Sequence, residues 1–170
     1  MKALFVCGYH VGARKGELRR LRWEQVDFEA NQIRLAARET KGKRARSLPI
    51  FGEMEPWLKS QLEKWAGDCP WVFSQGGKPI GDHLKGWREA CERAGVPGLL
   101  FHDLRRSAVR NMKRAGNSER TVMEISGHKT RAIFDRYDIV TDADIAHAAR
   151  RTEEYLNARK EPGPKLKRVK

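Results

Sequence analysis

Four short stretches of this 170-residue chain gather side chains suited to a phosphate group. In Gly12-Ala13-Arg14-Lys15-Gly16-Glu17-Leu18 a single arginine, Arg14, stands at a helix start beside a glycine that lets a backbone or a ligand come close. Thr40-Lys41-Gly42-Lys43-Arg44-Ala45-Arg46-Ser47-Leu48-Pro49-Ile50 has the form of a strongly basic hairpin tip. Phe101-His102-Asp103-Leu104-Arg105-Arg106-Ser107 puts His102 and Arg105 three apart, so both can face one ligand from the first turn of a helix. The fourth stretch runs from Ile125-Ser126-Gly127-His128-Lys129-Thr130 to Phe134-Asp135-Arg136-Tyr137, with His128 and Tyr137 nine positions apart.

Taken singly, each has an ordinary explanation: a surface arginine, a solvated turn, a structural histidine, a packing tyrosine. Together they suit phosphate chemistry. A phosphodiester resists attack because its charge repels nucleophiles and its transition state gains more charge, so preorganised cations aimed at the nonbridging oxygens help most. Arginine forks grip two phosphate oxygens at once and stay charged at any working pH.

In this order, from about Gly12 to Tyr137, the four stretches resemble the tyrosine recombinase (phage integrase) family. The resemblance implies a catalytic set of Arg14, Lys41, His102, Arg105, His128 and Tyr137, with Tyr137 as nucleophile and Lys43 as the rival of Lys41 for the hairpin lysine. Lys41 is favoured because the family's lysine lies about a hairpin's length before a proline such as Pro49. It further implies a site-specific DNA recombinase that forms a 3′-phosphotyrosyl bond and rejoins strands without ATP, metal or any other cofactor. A free tyrosine has a pKa of about 10, so Tyr137 needs cations nearby and a proton acceptor such as His102. Lys41 is the natural acid for the leaving 5′ oxygen, and His128 is expected to add a third hydrogen-bond donor. Lys43, Arg44, Arg46, Arg106, Arg110, Lys129 and Arg131 are expected to contact DNA outside the reacting centre.

The elements that must position these residues can be read from periodicity and punctuation. Ala3 to Cys7 is the buried end of a helix, and Glu17 to Val26 suits a helix turning into an extended segment. Gln32–Ala36 and Arg46–Ile50 form a strand pair around the basic turn, and everything later is expected to be helical or loop. Met54, Trp57, Leu58, Leu62 and Trp65 make one apolar helix face, and Asp82 is expected to cap a helix ended by Gly95. Asp103 is expected to cap a helix ending at Gly116, and Ser118 a short one stopped by Gly127. Arg131 to Tyr137 follows, and Thr141 with Asp144 forms a capping box for a last helix. The expected fold class is α+β, mainly α-helical: a helical bundle with a small antiparallel β-sheet in the N-terminal half. Residues 1–160 are read as the catalytic domain, without the N-terminal DNA-clamping domain usual in the family, and 161–170 as a basic flexible tail after Pro162-Gly163-Pro164. Only 13 residues precede Arg14, so the chain is expected to be a fragment.

Composition agrees with a polyanionic partner. Thirty-five Lys and Arg against 22 Asp and Glu leave a formal net charge of +13. Double-stranded DNA is the expected partner, with no membrane involvement, and the resemblance implies a tetramer on paired DNA sites for the full-length enzyme. Three widely spaced cysteines, Cys7, Cys69 and Cys91, suggest neither a disulfide framework nor a zinc site, and fit a reducing, intracellular setting; the family resemblance implies a cytoplasmic, nucleoid-associated place in a bacterium or phage host. Three rivals stay open, one of them a basic structural domain in which all six residues are surface or packing positions. A non-enzymatic helix-turn-helix module could use Asp103 to Ile125, but it leaves Arg14, Lys41, His128 and Tyr137 to coincidence; a type IB topoisomerase would share the chemistry and differ in purpose. Ser126 departs from the family, which often has leucine there.

Overall fold

The structure is a computed structural model that describes residues 2–65, 67–81, 84–135 and 140–159. The expectations for Asp82 as a helix cap, for Arg136 and Tyr137, and for the tail from 161 lie outside the described residues. By their contacts residues 1–138 and 139–170 form two units, described separately below.

In the first unit, α1 (Lys2–Val11) buries Ala3, Leu4, Cys7 and Val11. That spacing is one helical stripe, and it packs against both α3 (Met54–Glu63) and α5 (Phe101–Arg114). Burial pushes the Cys7 thiol up to about 12, so it sits in the core as a neutral group. Gly12 breaks the helix with φ +62°, and α2 (Lys15–Arg19) starts after it.

Three antiparallel strands follow in the order β1 (Val26–Asp27), β2 (Gln32–Leu35) and β3 (Arg46–Pro49). Ile33 pairs with Leu48 and Leu35 with Arg46, and all four are buried, so alternation turns one face inward. The predicted strand pair is therefore present, with a short third strand at its edge. The segment between α3 and α4 (Leu84–Arg93) is not plain loop. It holds a small hairpin, β4 (Ser74–Gln75) and β5 (Lys78–Pro79), closed by Gly76 and Gly77 at φ +58° and +71°. A two-residue turn with both φ positive matches the strand twist and takes glycine. Strands of two residues are too short to leave a periodic signature.

The later helices carry the punctuation expected, with one shift. α5 begins earlier than predicted: Leu100 is its N-cap, and Asp103 is the third helical residue, whose carboxylate accepts the Leu100 N–H at 2.8 Å. Asp103 thus serves the helix start from inside it. Ser118 caps α6 (Glu119–Ser126) by accepting the Thr121 N–H, and Gly127 at φ +72° ends it. α7 (Arg131–Asp135) follows. Ala108, Val109 and Met112 of α5 close with Val122 and Phe134 into a second core beside the larger one. In the second unit, α8 (Asp142–Ala158) has the Thr141–Asp144 capping box, while its apolar Ile145, Tyr155 and Leu156 stay exposed. Among the described residues no helix is long and apolar enough to cross a membrane.

Candidate active site

The site forms where the end of α1, the start of α2, the start of α5 and the turn after α6 converge. Arg105 is almost wholly buried, at 3% exposure. Its Nη1 donates to the Gly12 carbonyl at 2.6 Å and to the Ser126 carbonyl at 2.5 Å, tying the α1 turn to the end of α6. Gly12 is required there twice over. Its φ is positive, and a side-chain carbon would lie 3.1 Å from the Ala108 Cβ. Arg14, half-exposed, donates from Nη2 to the Gly127 carbonyl at 2.8 Å. The two arginines therefore grip adjacent carbonyls of the same turn.

Glu17 binds Arg14 together with a further arginine, Arg46. Its carboxylate accepts the Arg14 backbone N–H at 2.8 Å, Arg14 Nη1 at 3.1 Å, and both terminal nitrogens of Arg46 at 2.7 and 3.3 Å. Glu17 and Arg46 side chains are each only 4% exposed, so this pair is sealed from water and each charge depends on the other. Arg46 also lies against Gly127, where any side-chain carbon would collide with its guanidinium. Arg46 is therefore not a surface contact for DNA, as its basic neighbourhood suggested. It alternates inward on β3, opposite Leu35, and serves as the internal counter-ion of Glu17.

His128 is buried beside these groups. Its Nδ1 is 2.7 Å from the Ser126 hydroxyl, and its ring meets Phe134 edge-on at 5.7 Å. Burial first, then the positive Arg105 and Arg14, then His102 and Arg46, lower its pKa to about 3. The imidazole is neutral at pH 7. His102 reaches the surface in the first turn of α5, yet the protein on its inner side partly desolvates it. That desolvation and Arg105, with smaller effects from Arg106 and Arg14, lower its pKa, and Asp103 opposes them. Arg14, Arg105, His102 and His128 thus lie within one electrostatic neighbourhood.

Lys41 stands on the wall of a neighbouring cleft of about 710 Å³, lined by Arg14, Gly16, Glu17, Arg19, Arg20, Glu39, Lys41, Lys78 and Pro79. Its walls come from α2, the β2–β3 connection and the β4–β5 hairpin. Arg19 donates to the Ile80 carbonyl at 2.8 Å, fixing that hairpin to α2. Glu39 is turned inward, accepting from Gln25 Nε2 and the Ala36 N–H at 2.7 Å each. Among the described residues no acidic group pairs with Arg20, Lys41 or Lys78.

The remaining predicted contacts are spread over the surface. Lys43 and Arg44 are exposed at the hairpin tip, where Lys43 adopts φ +51°. Gly42 lies beside Lys129, since a side-chain carbon on it would be 3.3 Å from the Lys129 Cε. Arg110 is exposed on α5. Arg106 faces Asp103 at 3.7 Å, and Arg131 pairs with Glu119 at 2.7 Å. Glu17, Arg20, Lys78 and Ser126 are the additions to the predicted set. A buried acid between two arginines has no periodic signal, although Glu17 does fall in the first turn of a helix capped by Arg14.

The model of the family described as "Phage integrase family" matches residues 1–143 of this chain, spanning every group just described. The chain belongs to the phage integrase family. A XerC-like tyrosine recombinase of Caldanaerobacter subterraneus is 27% identical over 170 aligned positions, which cover 78% of this chain and 44% of the relative. The crystal structure of XerA recombinase superimposes with a TM-score of 0.69 at 22% identity, covering 94% of this chain and 63% of that one. XerH site-specific recombinase bound to its difH substrate gives 0.67 at 20% identity, with 94% of this chain and 46% of that one covered. The integrase-family chain therefore spans about half the length of the curated relatives it matches, or less. Its mainly helical fold with small antiparallel sheets is that of the recombinases it superimposes on.

Proposed function

We propose that this chain is the catalytic part of a site-specific DNA recombinase, residues 1–160 forming the catalytic domain, and that Tyr137 forms a transient 3′-phosphotyrosyl bond with DNA. The observation that supports this most is the convergence of Arg14, Arg105, His102 and His128 on one turn, with Lys41 on the adjoining cleft. Arg14 is preorganised by the Gly127 carbonyl and Glu17, and Arg105 by the Gly12 and Ser126 carbonyls, so their fixed positive charge costs no reorganisation when the phosphate gains negative charge.

In the reaction, the Tyr137 oxygen bonds to phosphorus and the bond from phosphorus to the 5′ oxygen breaks. The phenol proton passes to a neutral acceptor, for which His102 with its lowered pKa is suited. The 5′ oxygen takes a proton from Lys41. One phosphodiester is exchanged for another, so a DNA hydroxyl can reverse the step by the same path. Arg20 and Lys78 line the cleft as cations for phosphates of the same backbone, with Lys43, Arg44, Arg106, Arg110, Lys129 and Arg131 outside it. The whole enzyme would work as a tetramer on paired duplex sites, at the nucleoid or on phage DNA.

The test is to incubate the chain with duplexes nicked near the cleavage point, in EDTA and without nucleotide. An adduct that resists detergent and releases a DNA-linked peptide containing Tyr137 is expected. DNA binding with no adduct on any nicked duplex that binds tightly would favour the non-enzymatic module instead.

A further inference from the structure

The contact that departs most from the family pattern lies under His128. Ser126 has no exposure at all. Its hydroxyl oxygen is 2.6 Å from the Val122 carbonyl oxygen and 2.7 Å from His128 Nδ1, while its backbone carbonyl receives Arg105. A serine hydroxyl has one proton and a carbonyl has none. Two oxygens at 2.6 Å are at normal hydrogen-bond length, which requires a proton between them. That proton can only be the serine's. The short contact to Nδ1 must then carry a proton of its own, and only the imidazole can supply it.

From this we infer that Ser126 is a positioning residue that holds His128 as its Nδ1–H tautomer, with Nε2 unprotonated. The backbone leaves the ring little choice of place. Gly127 and His128 both return their N–H groups to the Met123 carbonyl, at 2.8 and 3.1 Å, and Phe134 bounds the ring on one side. A free imidazole in water exchanges between both tautomers, whereas a ring nitrogen fixed by one hydrogen bond decides what the other nitrogen offers. His128 is accordingly a hydrogen-bond acceptor at Nε2 in the resting protein. The donor role expected of it becomes available only once Nε2 takes a proton, which a bound phosphate dianion-like transition state would favour and the surrounding Arg105, Arg14, His102 and Arg46 oppose. A leucine at position 126 would impose no such constraint. The Nδ1 proton follows from the geometry, and the unprotonated Nε2 from the neutrality that burial and the neighbouring cations impose on the ring; the bearing on strand cleavage rests on the function proposed above.

The deciding experiment is a long-range 1H–15N spectrum of the histidine side chains of the full chain at neutral pH, with His128 assigned by comparison with His128→Gln. The expected pattern shows His128 Nδ1 protonated and Nε2 strongly downfield as a bare nitrogen. Ser126→Ala should move the His128 signals toward the exchange-averaged pattern of a free imidazole or toward the Nε2–H form. A wild-type spectrum showing the Nε2–H tautomer would overturn the inference, and this outcome needs no folded variant. An Ala variant that keeps the Nδ1–H pattern would remove Ser126 as its cause. Either result leaves the covalent-adduct test of the recombinase function unaffected, so the two can fail separately.

Discussion

The buried nest of charge and the open cleft beside it share Arg14 and Glu17 but hold their cations in opposite ways. In the nest, Arg105, Arg46 and Arg14 are fixed by carbonyls and by one carboxylate, and the first two are almost without solvent contact. In the cleft, Arg20, Lys41 and Lys78 reach into water from three separate elements, with no acidic partner among the described residues. A cation locked in place serves a charge that appears at one point and one moment. A loose cation serves a long polyanion, whose phosphates can be met by several geometries. On the proposed function, burial would divide the same formal charge between catalysis and grip.

Breaking the nest should have the largest effect. Arg46→Met removes one partner of a sealed pair and leaves Glu17 held by Arg14 alone, so unfolding should become easier by about 3 kcal/mol, read from urea denaturation. A change under about 0.5 kcal/mol would mean that the pair contributes nothing to the fold. Arg105→Lys keeps one charge but loses the planar guanidinium whose Nη1 holds both carbonyls, and adduct formation should fall on the order of 100-fold while DNA affinity changes little. If binding and cleavage fall together, Arg105 belongs to the grip and the contrast fails.

The nest also predicts a pH response. His128 has a folded pKa of about 3, below its ordinary 6.5, so the unfolded chain binds the proton more readily. The stability it contributes is complete above pH 6.5 and is lost as pH falls from there toward 3. Between pH 7 and 4 the loss should reach up to about 3 kcal/mol, and His128→Phe should abolish that part. An identical pH profile in the variant would show that His128 is not the group concerned. The cleft predicts the smallest effect. Lys78→Ala should reduce the log-log salt slope of duplex binding by about 0.9, the value for one phosphate contact, and excess duplex should restore adduct formation. An unchanged slope would remove Lys78 from the DNA path.

What could be read in the sequence divides along similar lines. Helix starts and stops that depend on one side chain, such as Ser118, Gly127 and the Thr141–Asp144 box, were legible because the chemistry of the cap is local. The resemblance brought Arg14, Lys41, His102, Arg105 and His128 together in order, and the fold places them around one turn and its cleft. Arg46 was misread because a basic tip looks solvated throughout, whereas strand alternation decides which of its cations faces Glu17. The β4–β5 hairpin and Lys78 escaped because two-residue strands have no period. Asp103 was placed one turn too early in role, since an acid at the third helical position and an N-cap look alike from sequence.

The central claim is that Tyr137 carries the DNA in a covalent bond while the nest stabilises the phosphate. Its most direct measurement compares the chain with Tyr137→Phe on a nicked duplex, scoring the detergent-resistant adduct and duplex affinity side by side. The adduct should vanish in the variant with affinity within about twofold of the parent. An adduct that survives the substitution would contradict the claim.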